Sequence, residues 1–583
     1  MLRDKRLHAA LLVIGLAFLF AAAFSGYFWF DESYTFGLIT HSLAQIWTID
    51  AFDVHPPLYY EVVRLLLPVL DNVGTALARL ASAFGVDAGA SLGSSAPAGL
   101  SDRIAGLRAF SIGGMWLTAW LGYTFLRRDL GARAGFLFSL AVLFAPMLVE
   151  LSSQVRMYSW ACFCVMTCFI AAERIAVRVA AGERAGLAAW FALVLSGLAA
   201  AYLHYYGAFT AFAINALLVV HLIRGLVCSA PDGPRASGAR RACAVRALGI
   251  WAVSSIVQVV AYLPWLAVVI AQAKGVSSGF WISWEPLGMA IGFAWPLAVF
   301  AILVSLAHAG VRLRSVPGAA DTDASGTACQ LSRPRRQAVV DGMLVYVIVL
   351  AGSMGVSVAM GHPVVLERYL AIPLVPALAS LAVLADEALR APASHPAGDL
   401  SDLDASGAIG ARDSVTAVRV RTIAVACLAV ALVGSGVARQ AGIVSATYGA
   451  SGPLDYFDDL TRAKPHARIM SDSINIAGVF AVARPDTDLH FMNEWGERTS
   501  CAYQAFAPTM SIVGSWSEMP VSESDPVVYL GSSSARPTED GLCAVEQAIG
   551  MTVEGWKAWY RPVENRWFFI AEGAASPSVR MGE

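Results

Sequence analysis

Charge is scarce in this chain. Asp, Glu, Lys and Arg make up 14% of its 583 residues, whereas hydrophobic residues make up 57% and mean hydropathy is +0.60. Soluble domains carry about 25% charged residues, so the deficit excludes an ordinary soluble protein and indicates a polytopic membrane protein. The net charge of −2 offers no basic excess for neutralising phosphates and excludes nucleic-acid binding. A clean small-residue cleavage site is also missing between the first apolar run, Leu7 to Phe30, and the acidic pair after it. That run reads as an uncleaved first helix, not a signal peptide. No internal repeat is visible. Cysteine is sparse in the polar tail, which holds only Cys501 and Cys543 of the nine. An extracytoplasmic tail would allow these two to form a disulfide; the equal alternative is two unrelated buried thiols.

What the chain does have is long apolar stretches. A span needs roughly 20 apolar residues, and eleven stretches qualify, at about 8–30, 104–126, 134–152, 157–178, 186–204, 208–226, 248–271, 287–308, 339–360, 369–388 and 422–440. The run at 57–70 is short and holds Glu61 and Arg64, which predicts an interfacial helix. With the N-terminus in the cytoplasm and 57–70 not spanning, the basic clusters, among them Arg127 with Arg128, all fall inside. Residues 31–103 become one long outer loop. The expected fold is a polytopic α-helical membrane protein of about eleven transmembrane helices, with interfacial helices in that loop. A small C-terminal extracytoplasmic α/β domain follows. The boundaries are 1–440 and 441–583. In the tail, short β-rich runs at 467–470, 489–492, 526–530, 553–560 and 566–571 alternate with helical patterns at 473–483 and 540–550. Trp495, Trp516, Trp556, Trp559 and Trp567 read either as sugar-stacking platforms or as core aromatics.

The chemistry-bearing residues cluster on the outer side. Asp31 and Glu32 stand where the first apolar run ends, and Asp53, His55 and a Pro-Pro pair follow. Carboxylates with an imidazole at a membrane surface can do acid–base work; the first pair reads equally as a helix cap. Several cations break the positive-inside pattern on the same side: Arg108, Arg156 (after Gln154 and before Tyr158), Lys274 in the loop after the seventh helix, and Arg368 beside Tyr369. His204 ends the fifth helix. Each alone reads as a snorkelling or helix-end residue. Together they suit a phosphate held at the outer headgroup level and attached to a lipid.

At these residues the sequence resembles a known group. Phe30-Asp31-Glu32 and Phe52-Asp53-Val54-His55-Pro56-Pro57-Leu58 are similar to the first-loop motifs of protein O-mannosyltransferases. The wider resemblance is to GT-C superfamily membrane glycosyltransferases, including the lipid A aminoarabinose transferases. Leu107-Arg108, Arg156-Met157-Tyr158, His204-Tyr205-Tyr206-Gly207 and Arg368-Tyr369-Leu370 add to it, over roughly residues 8–390. The resemblance implies a GT-C-like helical core and a polyprenyl-phosphate-linked sugar donor. It also implies transfer on the outer face of the cytoplasmic membrane to a glycan, lipid or protein acceptor. It makes Asp31 the base with Glu32 its neighbour, Arg108, Arg156, Lys274 and Arg368 contacts of the donor phosphate, and His55 a shaping residue. One departure stands out: Gln154 replaces the Glu usual in bacterial relatives, and Glu150 one turn earlier is a substitute. That change weakens any case for a divalent metal, and no cofactor is expected. A single displacement would invert the anomeric centre. The rivals are a lipid-linked glycan flippase and a catalytically degenerate envelope-assembly partner.

Overall fold

The computed structural model describes residues 4–24, 28–86, 92–93, 95–227, 234–277, 286–312, 332–390, 405–446, 451–494, 496–515, 525–562 and 564–575. Trp495 and Trp516 lie outside them. In chain order the helices are α1 (Lys5–Phe20), α2 (Phe30–Leu38), α3 (Leu43–Asp50), α4 (Leu58–Ala83), α5 (Leu100–Leu121), α6 (Arg127–Asp129), α7 (Ala132–Phe144), α8 (Pro146–Ser152), α9 (Tyr158–Ala180) and α10 (Leu187–Leu203). They continue with α11 (Tyr205–Val227), α12 (Pro234–Ser277), α13 (Pro286–Arg312), α14 (Arg333–Met360), α15 (Glu367–Ala388) and α16 (Ala405–Ser445). The chain folds as two compact units.

The first unit comprises 1–18, 113–151 and 158–438 and is entirely helical among its described residues. Helix α15 is its centre: its apolar window is wholly buried, although Pro373 and Pro376 lie inside it. Among the described residues six helices are long and apolar enough to cross a membrane, or seven if the bent pair α7–α8 is one span. This falls short of the eleven expected. Three reasons are local. The predicted span at 8–30 is helical only to Phe20 and then turns through 21–24. The one at 134–152 bends by 62° at Ala145-Pro146, where proline lacks an N–H and drives its predecessor to extended backbone. The one at 186–204 is the 17-residue α10. Lys274, expected in a loop, lies in the last turn of α12.

The second unit comprises 19–112, 152–157 and 439–583. Its first part is built on α4, which is 26 residues long and outruns the expected 57–70. Leu65, Leu66, Val69, Val73 and Leu80 form one exposed apolar stripe along it, the pattern of a helix lying in an interface. Helices α4 and α5 cross at two glycines. A Cβ on Gly74 would lie 1.8 Å from the Asp102 carbonyl oxygen, and one on Gly106 2.0 Å from that of Leu70. Only glycine permits backbones this close.

Its second part carries α17 (Gly452–Ala463), β1 (Arg468–Ser471), α18 (Ile474–Ala483), β2 (Leu489–Met492), α19 (Glu497–Tyr503), β3 (Met510–Val513), β4 (Pro526–Ser533), α20 (Glu539–Ile549), β5 (Met551–Arg561) and β6 (Arg566–Ala575). The strands form one sheet of order β3-β2-β1-β4-β6-β5. The first four are parallel and β6 and β5 antiparallel, with a bulge at Val553/Gly555. Met470, Val527, Tyr529, Leu542 and Phe569 form the core of one face. The sequence missed β3. Trp556 packs on this core, Trp559 meets the Tyr456 ring at 5.6 Å and Trp567 that of Tyr560 at 5.5 Å. These three are packing residues. Cys501 and Cys543 are free thiols, so the disulfide alternative falls.

Candidate active site

The second unit gathers Asp31, Glu32, Asp53, His55, Arg108, Gln154 and Arg156. Helix α2 begins at Phe30 after the extended Trp29, so both acidic residues fall in its first turn, where they favour the positive end of the helix dipole. The two then diverge. Asp31 is half-buried, whereas Glu32 is 2% exposed and turns inward. The Arg108 guanidinium donates to both Glu32 oxygens, Nε to Oε1 at 3.4 Å and Nη2 to Oε2 at 3.1 Å. The Val155 N–H donates to Oε1 at 2.9 Å. Glu32 and Arg108, expected as a second catalytic carboxylate and a phosphate contact, therefore hold each other and tie the 152–157 loop to α2.

Arg156 is 2% exposed and sits where that loop meets residues 31–60. Its Nη1 donates to the Asp31 carbonyl oxygen at 3.1 Å and to the Tyr60 hydroxyl at 3.0 Å. Its Nη2 lies 3.2 Å from His55 Nδ1 and 3.4 Å from Nε2. His55 Nδ1 in turn is 3.0 Å from Asp53 Oδ2. Burial and the Arg156 charge push the His55 imidazole below its usual range, against the pull of Asp53. The ring is thus neutral at pH 7, and Nδ1–H donation to Asp53 leaves Nε2 to accept from Arg156. Burial pushes the Asp53 carboxyl up, but His55 and Arg156 outweigh it and hold it below the usual carboxylate range. The result is a chain Asp53–His55–Arg156 ending on the backbone of Asp31. Gln154 is 8% exposed, and its amide oxygen has no hydrogen-bond partner among the described residues.

Three neighbours escaped the sequence reading: Asp50, Tyr60 and Tyr34. Asp50 is fully buried at the end of α3; burial, then the charges of Asp53 and Glu61, push its carboxyl well above the usual range. Its carboxyl thus gives up its proton less readily than that of Asp53 beside it. Its spacing of three from Asp53 was the only signal available.

The first unit brings together Tyr158, His204 and Tyr369. His204 breaks the path between α10 and α11 and accepts the Tyr206 N–H on Nδ1 at 3.0 Å. Its ring lies 5.4 Å from Tyr158 and 5.0 Å from Tyr369. Arg368 lies over the Tyr369 ring at 5.6 Å. Lys274 is exposed on α12, and Glu150 is half-buried on α8.

No family model and no curated protein matches the chain. Among the solved structures similar to it are two of one protein. One is ArnT from Cupriavidus metallidurans bound to undecaprenyl phosphate, at 14% identity over 99% of each chain with a TM-score of 0.48. The other is the same protein in the apo state, at 13% identity over 97% of each chain with a TM-score of 0.45. ArnT is a lipid A aminoarabinose transferase, a group the sequence resembles. At TM-scores below 0.5 the likeness is loose, and the chemistry rests on the residues themselves.

Proposed function

We propose that this chain is an integral membrane glycosyltransferase. It moves a sugar from a polyprenyl-phosphate-linked donor to an acceptor hydroxyl on the outer face of the cytoplasmic membrane, with Asp31 as the base. The observation that carries this reading is the buried Asp53–His55–Arg156 chain that ends on the Asp31 carbonyl oxygen. It holds the first turn of α2 rigidly while the Asp31 carboxylate remains half-exposed, which is what a general base needs.

The reaction balances with one carboxylate. Asp31 takes the proton of the acceptor O–H, and the oxygen attacks the anomeric carbon. The bond from that carbon to the phosphate oxygen breaks, and polyprenyl phosphate leaves with the electron pair. A single displacement of this kind inverts the anomeric centre. Glu32 and Arg108 position the loop. Arg368 and Lys274 are proposed, on charge and chain position alone, as cations for the donor phosphate.

The test compares membranes containing wild type with membranes containing Asp31→Asn. Each is given a panel of polyprenyl-phosphate sugars and a crude envelope extract as acceptor. Wild type should release free polyprenyl phosphate from one donor, and Asp31→Asn should lower the rate by about 10²–10⁴-fold. Equal release from both proteins, or none from folded wild type with any donor, overturns the reading.

A further inference from the structure

The second unit contains a cavity of about 520 Å³ that the catalytic reading does not use. Its walls come from α2, α4, the start of α5, the end of α18 and the 505–509 segment. Its volume falls in the usual range for small-molecule sites, about 300–1,000 Å³.

The glycines at helix contacts shape it. The Gly74–Gly106 crossing sets the polar face of α4 against α5, so Asp71 and Thr75 oppose Asp102 and Arg103. Arg103 donates to both Asp71 oxygens, Nε at 3.0 Å and Nη2 at 2.9 Å, and the Thr75 hydroxyl donates to Asp102 Oδ2 at 2.9 Å. A Cβ on Gly37 would lie 2.6 Å from the Ala505 carbonyl oxygen, so Gly37 lets the 505–509 segment close onto α2.

The lining decides what fits. Two carboxylates face one guanidinium, which is already bound by Asp71, so the surplus charge is negative and an anion such as a phosphate is disfavoured. The buried Phe36 and Phe506 add small apolar patches to the wall, while Thr40, Thr75 and the carboxylates supply hydrogen-bond partners. Apolar patches beside carboxylate and hydroxyl partners suit a ligand with an apolar ring face and many hydroxyls. Asp71 and Thr75 also stand on the side of α4 away from the Leu65–Leu80 apolar stripe, by the helical repeat of 3.6 residues. The cavity thus lies on the side of α4 away from the face that suits lipid.

We propose that this cavity binds a carbohydrate, a neutral or amino-bearing mono- or disaccharide unit. Resting on the transferase reading, it is the acceptor's remote sugar. By the helical repeat Phe36 and Gly37 lie roughly 120–140° around α2 from Asp31, so the cavity holds a part of the acceptor away from the reacting hydroxyl. Binding there supplies orientation, not proton transfer.

The test uses the purified full-length protein and three probes, methyl glucoside, glucosamine and glucose 1-phosphate, read by saturation-transfer NMR. The variants are Ala98→Trp, which fills the mouth from an exposed wall position, and Asp102→Asn, which keeps an acceptor for Thr75. Methyl glucoside and glucosamine should bind with a Kd of order 1 mM and about tenfold more weakly in Ala98→Trp. Asp102→Asn should weaken glucosamine more than methyl glucoside, and glucose 1-phosphate should bind least. Asp31→Asn should bind both sugars as wild type does. The proposal is overturned if neither sugar binds, if Ala98→Trp leaves binding unchanged, or if glucose 1-phosphate binds best. Intact sugar binding with no donor turnover by wild type would support the cavity and defeat the transferase reading. Turnover without sugar binding would do the reverse.

Discussion

Replacing Arg108 by Met separates two accounts of this residue. Its side chain is 5% exposed and that of its partner Glu32 is 3% exposed. Removing the guanidinium leaves a buried carboxylate that still accepts from the Val155 N–H but has lost its counter-charge. Breaking one side of a buried pair costs about 3–5 kcal/mol. At roughly 2–4 °C per kcal/mol for a unit of this size, the melting temperature should fall by about 6–20 °C. Adding Glu32→Gln neutralises the stranded charge and keeps an oxygen for Val155, so the double variant should recover most of the loss, with a coupling of about 2–3 kcal/mol. The assay is thermal unfolding of the detergent-solubilised protein, with polyprenyl-phosphate binding measured on the same samples. If Arg108→Met melts with wild type and loses only lipid-phosphate binding, Arg108 is a donor ligand and the clamp reasoning is wrong.

Four further outcomes can be read from thermal melts. The Asp50 carboxyl is pushed up by burial and by Asp53, so its folded state keeps a proton that the unfolded chain releases above about pH 4. Its stabilising share is complete below that pH and is lost as pH rises, by up to about 1.4 kcal/mol per unit. Asp50→Asn should therefore melt higher than wild type at pH 8, with the gap closing towards pH 4; a constant gap would contradict this. The His55 imidazole is pushed down by burial and Arg156, so its share is present above about pH 6.5 and lost on acidification below it. His55→Gln should flatten the acid side of the same profile. At the helix crossing, Gly74→Ala should destabilise by about 1–3 kcal/mol because its Cβ meets backbone. Gly113→Ala, where nothing lies within 4 Å, should be neutral or stabilising by about 1 kcal/mol in thermal melts.

The sequence was most legible where structure is local. Apolar runs long enough to span were visible as such. So were α18 and α20, and five of the six strands, because periodicity of 3.6 or 2 is written in neighbouring residues. Where a single proline bends a helix, or a helix stops inside an apolar run, composition misled: the α7–α8 break and the end of α1 at Phe20 are examples. Residue types at the candidate site were legible too, since acidic, imidazole and guanidinium groups in an apolar chain are conspicuous.

Who meets whom was not legible. Glu32 and Arg108 are separated by 76 positions, and Asp31 and Arg156 by 125. Sequence alone determined that this chain is largely apolar and helical, and that Asp31, Glu32, Asp53 and His55 share its first long loop. Tertiary structure alone decided that Asp31 stays half-exposed while Glu32 is clamped, that burial pushes the Asp50 carboxyl up, and that two glycines bring α4 onto α5 beside a polar cavity. The physical reason is that desolvation, ion pairing and close backbone approach depend on distance in space, and the chain carries no local record of that distance.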